Sequence, residues 1–145
     1  MALTPNSFSD ASASKSRSTR VYKDVSLSFT RHPITGDIAK LTDADAVKRS
    51  VRNLINTDFY ERPFHPEIGS DIRKTLFEPV DVSTAENLAI YVEDCIVNFE
   101  PRVELISVRV DANIDRNAYN IVIQFYLVNS PDGLIEMDIE LERLR

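Results

Sequence analysis

The stretch AYNIVIQFYLV, residues 118–128, places bulky apolar side chains on both faces of an extended chain. One face carries Tyr119, Ile121, Ile123, Phe125 and Leu127, and the other carries Val122, Tyr126 and Val128. Successive side chains of a strand point to opposite faces, so a strand that is apolar on both faces is typical of the middle of a sheet. The sequence therefore predicts a central strand here.

The segments on either side are predicted to pair with this strand. VELISVRVDA, residues 103–112, places Ile106, Val108 and Val110 on one face. LIEMDIELE, residues 134–142, alternates regularly, so we expect Ile135, Met137, Ile139 and Leu141 to face inward and Glu136, Asp138, Glu140 and Glu142 outward. SPDG, residues 130–133, is typical of a hairpin turn. Together these segments predict a C-terminal antiparallel meander.

Helices are predicted before the meander. In residues 42–57, Thr42 fits an N-cap, and the apolar stripe consists of Val47, Val51, Leu54 and Ile55. In residues 83–99, Ser83 and Glu86 match a capping box, and the stripe consists of Leu88, Tyr91, Val92, Cys95, Ile96 and Phe99. Cys95 is interpreted as a small core residue, because no neighbouring base would activate it as a nucleophile.

A long ordered loop is predicted between these helices, because Pro63, Pro66 and Gly69 forbid a continuous helix. A short helix should follow, from about Ser70 to Phe77, and end before Pro79. The side chains in this region that we expect to be buried are Phe59, Tyr60, Phe64, Ile72, Leu76 and Phe77.

The N-terminal part of the folded region is predicted to be a small hairpin. Val25, Leu27 and Phe29 alternate as in a half-buried strand, Gly36 fits a tight turn, and residues 38–41 form a short returning strand. Residues 1–20 are rich in serine and carry Lys15, Arg17 and Arg20, so we expect a tail that is disordered or ordered by a partner. Residues 21–145 are then one α+β domain, with the meander packed against two to three helices.

Composition and charge exclude several classes of function. The 145 residues carry a net charge of −6, so the chain has no basic footprint for nucleic acid. No apolar run is long enough for a membrane span, and the start lacks the apolar centre of a signal peptide, so synthesis in the cytoplasm is expected. His32 and His65 have no partner at metal-ligand spacing, and the isolated glycines form no phosphate loop. No metal or cofactor is therefore predicted.

Paired carboxylates leave an enzymatic alternative open. A muramidase would use Glu61, Glu67 or Glu100, one of them as a general acid with a raised pKa. Arg62 follows Glu61 directly, and Arg102 lies two residues after Glu100. A paired arginine would lower the pKa of its carboxyl, which argues against a general acid.

The segment VNFEPRVELISVRV, residues 97–110, places an acid, a proline and a base where a helix should give way to a strand. Pro101 should end the helix and aim the strand, which leaves Glu100 and Arg102 at a rigid corner. Two readings remain open. Arg102 satisfies helix carbonyls or pairs with an acid of the loop, or the corner is a fixed docking point for another chain.

Two longer segments carry a family resemblance. FYERPFHPEIGSDIRKTLFEP, residues 59–79, followed by a capped helix and FEPRVELISVRV, residues 99–110, resembles the baseplate wedge family of contractile-tailed phages. This sheath-initiator family has a counterpart in type VI secretion baseplates and an older "lysozyme-like" label. The resemblance extends over residues 22–142, and the Ser-rich residues 1–20 depart from it.

The resemblance implies a structural component of the virion tail baseplate, present in multiple copies, and no enzyme. Its implied partners are the core helical bundle of the wedge and the tail sheath protein, whose first ring it would initiate. Glu100, Pro101 and Arg102 match the hallmark of the family, and Glu61 and Arg62 belong to its other specific segment. A cytoplasmic interaction domain without any phage context is the third hypothesis.

The last strand supplies a further candidate for partner binding. An edge strand offers free backbone groups to an incoming strand, and carboxylates on its outer face oppose self-pairing and favour a basic partner. The predicted contact residues on this strand are Ile135, Met137, Asp138 and Ile139.

Overall fold

The computed structural model describes residues 22–128 and 133–144. Its elements are β1 (Lys23–Val25), β2 (Lys40–Thr42), α1 (Asp43–Ile55), α2 (Ile72–Thr75), α3 (Val82–Phe99), β3 (Val103–Asn113), β4 (Ala118–Leu127) and β5 (Ile135–Glu142). β1 and β2 form a small antiparallel hairpin, and β3, β4 and β5 form an antiparallel sheet in that order. One hydrophobic core joins the three helices to this sheet. The predicted α+β class is confirmed.

β4 is the central strand, as its sequence predicts. Ile121 pairs with Val110 on one side and with Ile139 on the other. The side chains of β4 and β5 that were predicted to face inward are all buried: Tyr119, Ile121, Ile123, Phe125 and Leu127 on β4, and Ile135, Met137, Ile139 and Leu141 on β5. The predicted SPDG turn falls mainly outside the described residues.

A bulge in β3 overturns one prediction of strand orientation. The pairing with β4 shifts between Leu105 and Ser107, which leaves Ile106 as the extra residue. Val103 and Leu105 before the bulge, and Val108 and Val110 after it, pack against the core. Ile106 is instead 52% exposed, because one added residue breaks the two-residue alternation. Its predicted place beside Val108 and Val110 is wrong.

The predicted core stripes of α1 and α3 are largely confirmed. Val47, Val51, Leu54 and Ile55 of α1 are buried, as are Leu88, Val92, Cys95 and Ile96 of α3. Tyr91 is exposed, and Phe99 is half-buried. The predicted cap of α3 is wrong, because the N-cap is Asp81, whose carboxylate accepts the Thr84 amide at 2.7 Å. Thr42 occupies the N-cap position of α1, but its side chain makes no capping hydrogen bond.

The N-terminal hairpin is shorter and less buried than predicted. Val25, Leu27 and Phe29 are all exposed, because β1 ends at Val25 and no described element covers their alternating face. The turn is as expected: Gly36 has a φ of +70°, and its amide donates to the His32 carbonyl at 2.9 Å.

The loop between α1 and α2 is closed at its base and exposed at its tip. The Ser70 amide donates to the Thr57 carbonyl at 3.0 Å, and the Tyr60 amide donates to the Pro66 carbonyl at 2.9 Å. Ile72 and Leu76 are buried, as predicted. Tyr60, Phe64 and Phe77 are exposed, in contrast to the prediction, and Phe59 is half-buried. The hydrogen-bonded base holds the tip away from the core, so Phe64 is 95% exposed.

Replacing Gly69 with alanine is expected to open the base of this loop. A Cβ at residue 69 would lie 2.6 Å from the carbonyl carbon of Asp58 and 2.6 Å from the Phe59 nitrogen, which are backbone atoms. We expect the free energy of unfolding to fall by about 1–3 kcal/mol, as for other overpacked sites. Urea denaturation measures this, with Gly133→Ala as control, because a Cβ at Gly133 meets nothing within 4 Å. Equal losses in both variants would contradict the prediction.

Candidate partner-docking site

The Glu-Pro-Arg corner lies where α3 gives way to β3, as predicted. The Glu100 amide still donates to the Ile96 carbonyl at 2.9 Å, whereas Pro101 has no amide hydrogen with which to continue the helix. The Val103 amide donates to the Glu100 carbonyl at 3.1 Å and starts β3. The corner is therefore fixed by backbone hydrogen bonds on both sides of Pro101.

The Glu100 carboxylate points into the protein. It is 4% exposed and accepts three hydrogen bonds from side chains. Arg102 donates from Nε at 2.6 Å and from Nη2 at 2.8 Å, and the Ser50 hydroxyl donates at 2.6 Å. The two-pronged arginine geometry gives strong, directional hydrogen bonds to a carboxylate. These contacts join α1, the end of α3 and the start of β3, and we call Glu100, Arg102 and Ser50 the corner clasp.

The corner clasp also holds the start of the described chain. The guanidinium carbon of Arg102 lies 5.7 Å from the centre of the Tyr22 ring, within cation–π range. The Tyr22 hydroxyl donates to the Val128 carbonyl at 2.7 Å, and the Val128 amide donates to the Arg102 carbonyl at 3.0 Å. Tyr22 therefore connects the N-terminal segment to the end of β4.

The electrostatics of the corner clasp keep Glu100 ionised. Burial acts to raise the pKa of the Glu100 carboxyl, but the hydrogen bonds from Arg102 and Ser50 outweigh it, and the pKa lies below its ordinary value. The hydrogen bond to Glu100 in turn raises the pKa of Arg102. Arg102 therefore pairs with Glu100 of its own corner, rather than with helix carbonyls or an acid of the loop. Pro101 is exposed, and the Arg102 side chain remains 30% exposed.

The depressed pKa of Glu100 predicts a pH-dependent contribution to stability. The ionised form is favoured in the folded state, so the contribution is present above the ordinary pKa and is lost as the pH falls through the lower folded-state pKa. We expect the stability advantage of the wild type over Glu100→Gln, measured by urea denaturation, to shrink between about pH 5 and about pH 3. Glu86→Gln, at an exposed site on α3, is the control. A pH-independent difference for Glu100→Gln would contradict the prediction.

The other carboxylates of the enzymatic alternative lie on the exposed loop. Glu61 accepts the Asp58 amide at 2.9 Å, and Arg62 beside it is exposed. Glu67 lies 3.1 Å from His65 Nδ1, and backbone hydrogen bonding, followed by the His65 contact, lowers its pKa. A general acid requires the opposite shift. The pKa shifts of Glu67 and Glu100 are therefore opposite in direction to the shift that a muramidase acid needs.

A cleft of about 280 Å³ lies between the loop and α3. Its walls are formed by Phe59, Gly69, Ser70, Asp71, Tyr91, Asp94, Cys95, Asn98 and Phe99. None of the three carboxylates of the enzymatic alternative lines it. Burial raises the pKa of Cys95 to about 11, which makes this thiol a poor nucleophile and agrees with its place in the core.

β5 is an edge strand of the sheet, and its C-terminal end lines a cleft that it shares with α1 and α2. It pairs with β4 through eight residue pairs, and no strand of the described residues pairs with its other side. Ile135, Met137 and Ile139 face the core, so a partner would meet their backbone and not their side chains. Asp138 is exposed, as are Glu136, Glu140 and Glu142. Of the predicted contact residues, Ile135, Met137 and Ile139 could therefore offer only backbone groups to a partner, and Asp138 could offer its side chain.

Two contributors to the corner were not predicted. Ser50 lies on α1, 50 residues from its partner Glu100. Tyr22 lies at the start of the described chain, 106 residues from its partner Val128. No local pattern in the sequence indicates such distant contacts.

Within residues 22–128 and 133–144, no three of the His, Cys, Asp and Glu side chains lie together as a metal site. In the same part of the chain, no helix has the length and apolar character required to cross a membrane.

The sequence of the chain is similar to that of known baseplate wedge proteins. The family model described as baseplate wedge protein gp25 matches residues 42–132, which is more than half of the chain. The baseplate wedge protein gp25 of Enterobacteria phage T4 is 29% identical over 105 residues, which cover 72% of this chain and 80% of the T4 protein.

Solved structures share the fold at lower identity. A proposed tail lysozyme of Geobacter sulfurreducens has a TM-score of 0.65 at 21% identity, covering 72% of this chain and 96% of its own. A chain of the anti-feeding prophage baseplate has a TM-score of 0.65 at 24% identity, with coverages of 78% and 90%. A chain of the type VI secretion baseplate complex has a TM-score of 0.58 at 15% identity, with coverages of 69% and 93%. Because the family model matches residues 42–132, more than half of this chain, the chain belongs to the baseplate wedge protein gp25 family.

Proposed function

We propose that the chain is a structural subunit of a contractile-tail baseplate wedge. We further propose that it initiates sheath assembly by pairing the unpaired edge of β5 with a strand of another chain. The observation that supports the proposal is the burial and the strand pairing of β5. Its apolar side chains are already buried in the core of this chain, while its outer edge has no described partner. An incoming strand would therefore gain backbone hydrogen bonds without any rearrangement of the core.

β5 suits this role better than the other edge strand. β3 is interrupted by the bulge at Ile106, which disturbs the regular spacing of its backbone groups. β5 pairs with β4 without a register shift and carries four outward carboxylates, Glu136, Asp138, Glu140 and Glu142. These charges would oppose pairing of two copies through β5 and would favour a basic strand of the tail sheath protein.

The corner and the loop are proposed to face the wedge core. The exposed parts of Pro101 and Arg102 form a rigid surface, because Glu100 anchors Arg102 from within. Glu61 and Arg62 lie on the exposed loop tip and would contribute a second contact. In this proposal the Glu100 side chain acts by positioning Arg102, and it does not touch the partner.

The proposal places the chain in the virion, in multiple copies in the tail baseplate, after synthesis in the host cytoplasm. Residues 21–145 would form the folded unit. The predicted tail, residues 1–20, lies outside the residues that the structure describes.

Genetic depletion tests the proposed function. A phage that lacks this chain should produce tail tubes without polymerised sheath, and supply of the wild-type chain should restore sheathed tails. Electron microscopy of lysates measures the sheathed fraction. Normal sheaths in the absence of the chain would contradict the role in sheath initiation.

A muramidase is the second candidate, because the fold resembles the proposed tail lysozyme of Geobacter sulfurreducens. The lowered pKa values of Glu67 and Glu100 oppose it. Purified chain should release no fragments from peptidoglycan. Release that is abolished by Glu61→Gln, Glu67→Gln or Glu100→Gln would establish the enzyme instead.

A further inference from the structure

A basic cleft lies between the N-terminal hairpin and α1, far along the chain from β5. Its volume is about 280 Å³, and its walls are formed by Ser26, Leu41, Asp45, Lys48, Arg49 and Arg52. Three cations and one carboxylate therefore line this cleft, in a chain whose net charge is −6. A local cluster of positive charge of this kind favours a negatively charged partner.

The three cations have no acidic partner in the part of the chain that the structure describes. None of the described carboxylates lies within 4.0 Å of Lys48, Arg49 or Arg52, whereas Arg73 and Lys74 each have one that close. Lys48 and Arg49 are half-buried and so have lost part of their hydration. Lys48 and Arg52 are four residues apart on α1 and repel each other, whereas Asp45, three and four residues before Lys48 and Arg49, partly offsets their charge.

One apolar side chain, Leu41, lines the cleft beside the cations, and it is half-buried, so part of it is open to a ligand. We propose that the basic cleft binds an acidic, amphipathic protein segment, whose carboxylates pair with Lys48, Arg49 and Arg52. An apolar side chain of that segment would pack against Leu41.

A protein partner fits the cleft better than nucleic acid. The cations lie within five residues of one helix, whereas a nucleic-acid site typically follows the phosphates along an extended basic track. The overall negative charge of the chain would also repel a long polyanion. This site selects an acidic partner, whereas β5 is proposed to select a basic one, so the two surfaces would bind different neighbours.

Fluorescence anisotropy tests the proposal with the full-length chain and a short fluorescein-labelled peptide that alternates glutamate and leucine. We expect saturable binding at low ionic strength that weakens as salt is added. The double variant Arg49→Glu, Arg52→Glu should bind the peptide at least about tenfold more weakly. The matched control, Arg109→Glu, Arg116→Glu, reverses two exposed cations outside the cleft and should bind as the wild type does.

Circular dichroism checks that each variant is folded, and Arg49→Gln, Arg52→Gln replaces the reversed pair if that variant fails to fold. An unlabelled glutamine–leucine peptide, which carries no side-chain charge, should compete far less effectively than unlabelled glutamate–leucine peptide. The proposal is overturned if the wild type does not bind the peptide, or if both double variants lose affinity equally. It is also overturned if inorganic phosphate or single-stranded DNA displaces the peptide as effectively as unlabelled peptide does.

Discussion

Replacing Arg102 with alanine is expected to destabilise the protein strongly, because it leaves the Glu100 carboxylate buried without its cation. Breaking a fully buried ion pair typically costs roughly 3–5 kcal/mol. The Arg102 side chain is 30% exposed, so water can partly replace it, and we expect the free energy of unfolding to fall by about 2–3 kcal/mol. The variant should also lose the contact of Arg102 with the Tyr22 ring. Urea denaturation near neutral pH measures the loss.

Two further variants separate the buried charge from other effects of the truncation. Arg116→Ala removes an exposed cation and should change stability by less than about 0.5 kcal/mol. Adding Glu100→Gln to Arg102→Ala removes the uncompensated charge and should recover part of the lost stability. An unchanged unfolding midpoint in Arg102→Ala, or a double variant that is no better than Arg102→Ala, would show that the ion pair does not stabilise the corner.

A loss of assembly in an Arg102 variant has two possible causes, a lost contact with the partner and a weakened fold. From the sequence, a charged corner facing another chain would allow Arg102→Ala to remain folded while wedges fail to form. The structure places the carboxylate inside, so the same variant would also weaken the fold. Arg102→Lys keeps the positive charge but cannot reproduce both hydrogen bonds to Glu100. Assembly assays should therefore be compared at equal folded fractions.

Reversing two charges on β5 is expected to block sheath assembly without unfolding the protein. Asp138 and Glu140 are exposed, and neither makes a hydrogen bond or an ion pair with another described side chain. Lysine at both positions would repel a basic incoming strand, and we expect at least about a tenfold fall in the fraction of sheathed tails. Electron microscopy of complemented lysates measures this fraction. The free energy of unfolding should change by less than about 1 kcal/mol.

The matched control places the same charge change elsewhere. Glu86→Lys with Glu93→Lys reverses two exposed carboxylates of α3, whose contacts with the sheet are chiefly with β3, at the opposite edge from β5. This control should support normal sheath assembly. If both pairs reduce sheathed tails equally, net charge is the cause, and the proposed role of β5 is wrong.

The central features of the fold could be predicted because they depend on local periodicity. Tyr119, Ile123 and Phe125 on β4, and Met137 on β5, follow a two-residue repeat that any strand must satisfy when one face is buried. The stripes of α1 and α3 follow a helical repeat in the same way. Such patterns report which face is apolar and need no knowledge of distant contacts.

The errors arise where burial depends on something other than periodicity. Ile106 was misplaced because the sequence does not reveal which residue a sheet will bulge out. Leu27 and Phe64 were expected in the core because apolar character does not show whether the cover comes from the same chain. Their exposure agrees with a protein that works within a larger assembly, where a neighbour can supply the missing cover.

The candidate site was predicted only in part, for the same reason. Pro101 marks the corner through its effect on its immediate neighbours. The partners that give the corner its chemistry, Ser50 and Tyr22, come from distant parts of the chain, and only the folded structure brings them together. Local sequence thus indicates where the corner lies, and tertiary structure determines that the Glu100 carboxylate lies inside it.

The claim that another chain pairs with the edge of β5 is tested most directly by imaging the native assembly. Electron cryomicroscopy of intact tails, at a resolution that separates strands, shows what lies beside residues 135–142. We expect a strand of another chain beside β5, at the interstrand spacing of about 4.8 Å, continuing the sheet of β3, β4 and β5. A β5 edge that faces solvent or is covered by this chain's own residues, in a tail with a complete sheath, would contradict it.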